Sequence, residues 1–221
     1  MKYKLVIPII IFICLLTIGL ICFPMQNRVD EIIVEPYVYQ ELLAEYERVM
    51  EDSSYMEESW SNNIYDRVKM YAGKTQLYYC IKDLAGDGKP ELILSVYAEG
   101  YEPFVIYTYD DEGVHWCCIS ERYDMTIYKD GIVELISGGV WQHFMYEQIE
   151  KNEVSGKTLD TIVCAQAGDE EPHYYEYDME SGEYEDITEE AFYNIRNQYT
   201  AAREELEWKP VEGFWNDEKD Y

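Results

Sequence analysis

Residues 77–110 read LYYCIKDLAGDGKPELILSVYAEGYEPFVIYTYD, and this stretch decides the fold class. It contains three runs of aliphatic and aromatic residues, 77–81, 92–97 and 104–109, separated by segments that contain glycine. Short runs rich in β-branched and aromatic residues are typical of strands, and glycine between them favours tight connections. We therefore predict successive antiparallel strands in this part of the chain.

The same pattern continues downstream of residue 110. Further runs of strand-forming residues occupy residues 114–120, 125–128, 132–136, 141–149, 158–164 and 173–177. Turn signals lie between many of them, and the pair Asp130-Gly131, between Tyr128 and Ile132, is the strongest hairpin signal. Together the runs predict an antiparallel β-meander of about 7–9 strands.

Helices are predicted on both sides of the strands. The first begins near Tyr37 and carries an apolar stripe at helical spacing: Val38, Leu42, Tyr46, Val49 and Met50. Residues 52–71 read as a loop with further helical turns. The last helix begins after Thr188 as the N-cap and ends at Pro210. Its predicted buried stripe is Phe192, Ile195, Tyr199, Ala202 and Leu206. The predicted fold class is α+β: the meander is flanked by N-terminal and C-terminal helices and covered on one face.

The N-terminal segment predicts one transmembrane helix before this domain. Lys2 and Lys4 precede residues 5–23, which carry no charge and span roughly 28 Å as a helix, close to the hydrocarbon thickness of a bilayer. No small-residue cleavage pattern follows, so we expect an uncleaved single-pass anchor with a cytoplasmic N-terminus. Secretion after signal cleavage and a buried core helix are the alternatives. The predicted organisation is residues 1–25 as anchor or signal, 26–36 as linker and 37–221 as extracytoplasmic domain.

The charge balance narrows the choice of partners. The chain has a net charge of −28, and the part after residue 25 has 15 basic and 45 acidic residues. Such a surface repels nucleic acid and anionic lipid headgroups and attracts divalent cations or cationic peptides. The acids also have a simpler explanation, which is solubility alone.

Four of the six cysteines belong to the predicted domain: Cys80, Cys117, Cys118 and Cys164. They permit two disulfides in three connectivities, and free, partly buried thiols are the alternative.

One segment has the residue types of a calcium loop. In such loops alternate carboxylates, a glycine at the sharp bend and a backbone carbonyl converge on one ion. Here Asp83 is position one, Asp87 is position five, Gly88 is the bend, the Lys89 carbonyl is position seven and Glu91 is position nine. The predicted metal site is therefore Asp83, Asp87, Lys89 and Glu91, with Ca²⁺ as the ion. The alternative is a connection whose acids accept hydrogen bonds from backbone amides.

Two departures separate this loop from an EF-hand. Ala85 at position three offers no side-chain oxygen, and Leu94 replaces the glutamate at position twelve. The flanking residues also predict strands instead of helices.

The loop resembles the strand-flanked loop of FG-GAP and VCBS-type repeats, whose usual form is DxDGDGxxEL. A larger part of the chain, roughly residues 37–200, is similar to a group of uncharacterised surface proteins and lipoproteins of Gram-positive gut bacteria. The segments that carry this similarity are residues 78–83, 87–93, 105–110, 126–131 and 187–190. The resemblance implies an extracytoplasmic domain with a non-enzymatic character and a single calcium-type loop, and it implies no particular activity.

Three classes of function are compatible with these features. The first is a non-catalytic surface module that binds an envelope protein or glycan through aromatic side chains. Its candidate residues are Tyr97, Tyr101, Phe104, Trp116, Trp141, Tyr174 and Tyr175. The second is an anchored hydrolase, which needs a pocket with two convergent carboxylates or a Cys–His pair. The third is a structural acidic envelope protein without a ligand. No catalytic signature occurs in the sequence, so we favour the first or third class.

Overall fold

The computed structural model describes residues 37–51, 68, 71, 74–97, 100–120, 123–151, 153, 155–166 and 171–211. The predicted anchor and linker lie outside the described residues, and so does most of the predicted loop over residues 52–71. None of the described helices is both long enough and apolar enough to cross a membrane.

The first of two antiparallel sheets contains five strands. These are β1 (Leu77–Lys82), β2 (Glu91–Tyr97), β3 (Tyr101–Asp110), β4 (Gly113–Ile119) and, from the far end of the chain, β11 (Lys209–Pro210). β1 to β4 pair in succession as a meander, and β11 pairs with the free side of β1. The amide of Val211 donates a further hydrogen bond to the carbonyl of Leu77, so the described chain ends against the strand where the sheet begins.

The second sheet contains six strands in sequence order. They are β5 (Tyr123–Ile127), β6 (Ile132–Ser137), β7 (Trp141–Gln148), β8 (Lys157–Ala165), β9 (His173–Asp178) and β10 (Glu183–Ile187). The β5–β6 connection is the predicted Asp130-Gly131 hairpin turn, with φ values of 61° and 71°. Two successive positive φ values are what the favoured two-residue hairpin turn requires, and Asp-Gly tolerates them.

Two α-helices with defined bounds accompany the sheets in the described part of the chain. A short 3₁₀ turn, Tyr37–Tyr39, leads into α1 (Gln40–Glu51), and α2 (Glu189–Tyr199) follows β10. The hydroxyl of Thr188 accepts a hydrogen bond of 3.1 Å from the amide of Ala191, which confirms the predicted N-cap.

The core is divided into three clusters that stack the elements in layers. Tyr39, Leu43 and Tyr46 of the N-terminal helical segment pack on one face of the five-stranded sheet, against Leu92, Leu94 and Tyr107. The opposite face contacts the six-stranded sheet through Ile93, Ile106, Met125, Val133 and Leu135. The outer face of the second sheet packs against α2 through Phe144, Tyr146, Ile162 and Phe192. Strand alternation explains why one strand can serve two clusters.

A buried carboxylate fixes α2 on this outer face. Glu134 on β6 is only 1% exposed and accepts hydrogen bonds from the hydroxyls of Tyr128 and Tyr146, each at 2.9 Å. Arg196 of α2 donates from Nε to the same carboxylate at 3.2 Å, and its guanidinium lies 4.8 Å from the centroid of the Phe144 ring. Buried charges are tolerated when they are paired and hydrogen-bonded in this way.

The strand prediction agrees with the structure in type and place, but the sheet count differs. All nine predicted runs form strands, connected as antiparallel meanders, whereas the described chain contains eleven strands in two sheets. The single sheet with one covered face is therefore wrong. The sequence of residues 183–187, EYEDI, has too few apolar residues to predict β10, and Pro210, predicted as the end of the last helix, instead lies in β11. Proline is tolerated there because β11 is an edge strand in the described sheet.

Both helix predictions need correction at their ends. Val38 is exposed and Tyr39 is buried instead, because the 3₁₀ turn rotates the first residues relative to α1. The C-terminal helix ends at Tyr199, so Ala202 and Leu206 do not extend its stripe and Pro210 does not terminate it. The residues after Thr200 instead hydrogen-bond to the six-stranded sheet, from Lys129 N to Ala202 O and from Glu204 N to Ile127 O.

The four described cysteines are free thiols. Cys80 and Cys118 lie in one register row across four strands, which places them roughly 14 Å apart, too far for a disulfide. Burial raises the pKa of Cys80 to about 11 and that of Cys117 to about 12, so these thiols stay protonated at neutral pH. Protonated, buried thiols are poor nucleophiles, and this disfavours a catalytic role for them.

Candidate functional site

The predicted calcium loop connects β1 to β2 and is held by its own side chains. Asp83 accepts hydrogen bonds from the amides of Asp87 and Gly88, at 3.1 and 3.0 Å, and Asp87 accepts one from the amide of Lys89 at 2.8 Å. Gly86 and Gly88 adopt positive φ values of 67° and 85°, so the sharp bend predicted at Gly88 is confirmed. The acids of the loop therefore accept backbone hydrogen bonds, as the alternative to an ion site predicts.

Glu91 points into the molecule at the start of β2. Glu91 is only 2% exposed, and its Oε2 accepts a hydrogen bond of 2.7 Å from the amide of Leu84. Burial raises the pKa of Glu91 to about 7, and the neighbouring carboxylates of Asp83 and Asp87 add to the rise. This site residue therefore carries an unfavourable charge at neutral pH.

The predicted metal ligands are thus only partly brought together. Asp83, Asp87 and Lys89 share one tight turn, whereas the Glu91 carboxylate is turned toward the amide of Leu84. In the described ranges, no group of three or more His, Cys, Asp or Glu side chains is arranged to hold a metal ion. Calcium binding at Asp83, Asp87, Lys89 and Glu91 stays a prediction.

The loop is pressed against the second sheet at Gly131. A Cβ atom built on Gly131 would lie 2.9 Å from the carbonyl oxygen of Leu84 and 3.0 Å from that of Ile149. Only glycine fits this approach of two backbones at positive φ. The loop position is therefore set by packing between the sheets as well as by its own hydrogen bonds.

The raised pKa of Glu91 predicts a measurable pH dependence. In the native state the carboxyl keeps its proton up to about pH 7, whereas in the unfolded state it loses the proton near its ordinary pKa of 4.5. The contribution to stability is therefore complete below pH 4.5 and is lost as the pH rises through 7. Between pH 5 and pH 7, the free energy of unfolding of wild type should therefore fall by about 2 kcal/mol relative to that of Glu91→Gln. Urea unfolding with a chelator present measures both. The exposed control Glu112→Gln should follow the wild-type profile; parallel profiles for Glu91→Gln and wild type would contradict the assignment.

The seven aromatic residues proposed for binding divide into three groups. Tyr97, Tyr101, Trp116 and Trp141 are exposed, Tyr174 and Tyr175 are partly buried, and Phe104 lies in the core. Tyr97 and Tyr101 form one cluster with Tyr78 and Trp208, in which Trp208 stacks on Tyr101 at 5.2 Å between ring centroids. Trp116 lies alone on β4 in the ring contacts described.

Trp141 and Tyr175 belong to a larger set on β7, β9 and β10, which we call the aromatic face: Trp141, His143, Tyr175, Tyr177 and Tyr184. The Trp141 and Tyr175 rings stack at 5.7 Å with 19° between planes. Tyr184 contacts both Tyr177, at 5.0 Å, and His143, at 6.2 Å.

The His143 and Tyr184 contact spans two intervening strands. Val163 of β8, the register partner of both His143 and Tyr175, is fully buried. Trp141 and Tyr184 remain 55% and 50% exposed. The face is on the same side of β7 as Met145, which packs between the sheets, so the exposed rings continue the inner surface of the six-stranded sheet.

An acidic recess occupies the opposite side of the same strands. It has a volume of about 410 Å³, and its polar lining includes Asp160, Glu176, Asp178, Glu180 and Glu185. Burial raises the pKa of Asp160 and of Glu176, and the latter also responds to the charges of Asp160 and Glu185. Amide donors of the β9–β10 turn lower the pKa of Asp178. The recess is the feature that an anchored hydrolase would use.

Sequence reasoning missed three of these features. Tyr184 was not placed because β10 was not predicted, and His143 and Tyr177 join the aromatic face only through the strand register. The burial of Glu134 was also missed, and the available signal was a glutamate inside an apolar strand run, Ile132–Ser137, which is unusual.

The described part of the chain is therefore a mostly β protein with two antiparallel sheets and few helices. Comparison with models of known protein families, with curated proteins and with solved structures finds no match.

Proposed function

We propose that the protein is a non-catalytic binding module, anchored in the cell membrane through residues 5–23 and displayed outside the cytoplasm. The observation that carries the proposal is the aromatic face, where Trp141 and Tyr184 remain half exposed beside the neighbouring rings that they contact. Large aromatic side chains at a surface are costly to leave in water and are enriched where proteins bind partners. The partner is an envelope component, protein or glycan.

The sequence supports this proposal from two other directions. The uncharged segment after Lys2 and Lys4 supports an anchor, and the resemblance to bacterial surface proteins supports the compartment. The alternative is a structural acidic envelope protein, which would need no exposed ring cluster. A hydrolase would act through the acidic recess.

The location is tested by labelling intact cells with an amine reagent that does not cross membranes. Lys129 and Lys151 are exposed in the described domain, so both should be labelled without lysis. Labelling only after lysis would contradict the proposal. Binding is tested by sedimentation of residues 37–221, which form one compact unit, with envelope fragments. Release of sugar or peptide products from those fragments would favour the hydrolase instead.

The proposal includes a weak calcium site in the β1–β2 loop. Asp83, Asp87 and the Lys89 carbonyl would hold the ion, and Glu91 would complete the set after turning from the Leu84 amide. A divalent cation there would relieve the mutual repulsion that contributes to the raised pKa of Glu91. Oxygen ligands from one tight turn suit Ca²⁺.

Calcium should therefore stabilise the domain. At one hundred times the dissociation constant, binding to the folded form alone adds about 2.7 kcal/mol and raises the melting temperature. Asp83→Ala should abolish the calcium effect, whereas Asp111→Asn, in the exposed β3–β4 turn, should retain it. A wild-type melting curve that does not move at millimolar calcium would remove the ion from the proposal.

A further inference from the structure

We infer that the aromatic face binds a cationic polypeptide segment, rich in lysine or arginine, of an envelope partner. The inference rests on the proposed binding function and adds the docking surface and the chemistry of the partner. It depends on two independent properties of strands β7 to β10, namely their exposed rings and their charge.

The rings provide preformed sites for cations. Trp141 and Tyr175 stack nearly parallel, and Tyr184 is held by contacts with His143 and Tyr177, so the ring positions are fixed before a partner arrives. The exposed halves of Trp141 and Tyr184 point to solvent. A lysine ammonium or arginine guanidinium placed over such a ring face is attracted by the ring quadrupole.

The charge around these rings is of one sign. Residues 158–195 contain twelve aspartate and glutamate residues and no lysine or arginine. The cations that flank this stretch are already paired, Lys157 with Glu150 and Arg196 with Glu134, each at 3.2 Å. The local negative potential is therefore available to a partner.

Carboxylates lie on both sides of the outer strands. Asp186 pairs directly with Tyr175 in the β9–β10 register, so its side chain lies on the aromatic side. Glu176 and Glu185 line the acidic recess on the other side. A segment that crosses the aromatic face thus meets rings and a carboxylate together, and the acids of the recess on the other side of the same strands add to the negative potential.

Other ligands would use only part of this surface. A neutral glycan would stack on the rings and gain nothing from the charge, and a polyanion would be repelled. A single metal ion needs convergent ligands, and among the residues described no group of three or more His, Cys, Asp or Glu side chains could hold one. A cationic segment uses the rings and the carboxylates at once.

The test measures binding of a fluorescent peptide of alternating lysine and serine to the full-length protein in a non-ionic detergent. Trp141→Leu and Tyr184→Leu keep apolar bulk but remove the ring, and each should weaken binding about three- to ten-fold. Tyr184→Phe keeps the ring and should bind like wild type. Trp116→Leu is the matched control, because Trp116 is 51% exposed but lies on β4 of the other sheet; it should change affinity less than about two-fold. Circular dichroism and melting curves establish that each variant is folded.

A second pair of variants tests the charge. Asp186→Asn should lower affinity and reduce its salt dependence, whereas Glu112→Gln, an exposed acid of the β3–β4 turn, should leave both unchanged. Equal losses of affinity at the aromatic face and at the control positions would show diffuse attraction and overturn the inference. Undiminished binding by both Trp141→Leu and Tyr184→Leu would also overturn it. Binding of a neutral oligosaccharide that requires Trp141, without peptide binding, would overturn the cationic partner and leave the proposed binding function standing. Failure of surface labelling would refute the location alone.

Discussion

Replacing Arg196 by methionine is expected to lower the free energy of unfolding by about 3 to 4 kcal/mol. The substitution keeps a long side chain over the Phe144 ring but leaves the Glu134 carboxylate, which is 1% exposed, without its cation. A buried charge that loses its partner costs far more than the pair contributes as a whole. Urea unfolding followed by circular dichroism measures the change.

The double variant with Glu134→Gln distinguishes this cause from lost packing. Glutamine removes the charge and still offers an oxygen to the hydroxyls of Tyr128 and Tyr146, so the double variant should regain most of the lost stability. Arg48→Met on the exposed side of α1 serves as the matched control and should change stability by less than about 0.5 kcal/mol. If the double variant is no more stable than Arg196→Met, the charge is not the cause.

Gly131→Ala is expected to destabilise the domain by about 4 kcal/mol, because strain and a clash add together. The added methyl would meet two carbonyl oxygens at 2.9 and 3.0 Å while the backbone holds a φ of 71°. Neither oxygen can move alone, since one belongs to the calcium-type loop and the other to the residue after β7. Thermal and urea unfolding both measure the loss.

Gly88→Ala is the control that isolates the clash. Gly88 also has a positive φ, of 85°, but nothing lies within 4 Å of its added Cβ, so only backbone strain of about 1 kcal/mol is expected. Equal losses for the two variants would mean that the contact between loop and hairpin does not constrain Gly131.

The strands were predictable because their apolar runs are short, frequent and punctuated by turn residues. Asp130-Gly131 even specified its hairpin, since the turn chemistry is local. What the runs could not specify is the change of sheet after β4. Whether two consecutive strands pair or pack face to face depends on long-range contacts, such as those of Ile106 with the second sheet, and these leave no local signal.

The candidate site was predictable in its residues and less so in its geometry. The glycines and acids of the β1–β2 loop identified the bend, but the inward direction of Glu91 follows from the pleat of β2, where Leu92 faces α1. The aromatic face needed four strands in register before its rings met. Residues 183–187, with three acids and one tyrosine, read as a loop until that register is known.

The pairing of β1 with β11 has a consequence for biosynthesis. Tyr78 and its register partner Pro210 are more than 130 residues apart, so an emerging chain makes its first strand long before the strand that covers it. During synthesis the edge of β1 stays unpaired, and unpaired edges recruit other chains. Contacts between such distant residues also form slowly. A chain truncated before Lys209 would keep that edge open permanently and should be the form most prone to self-association.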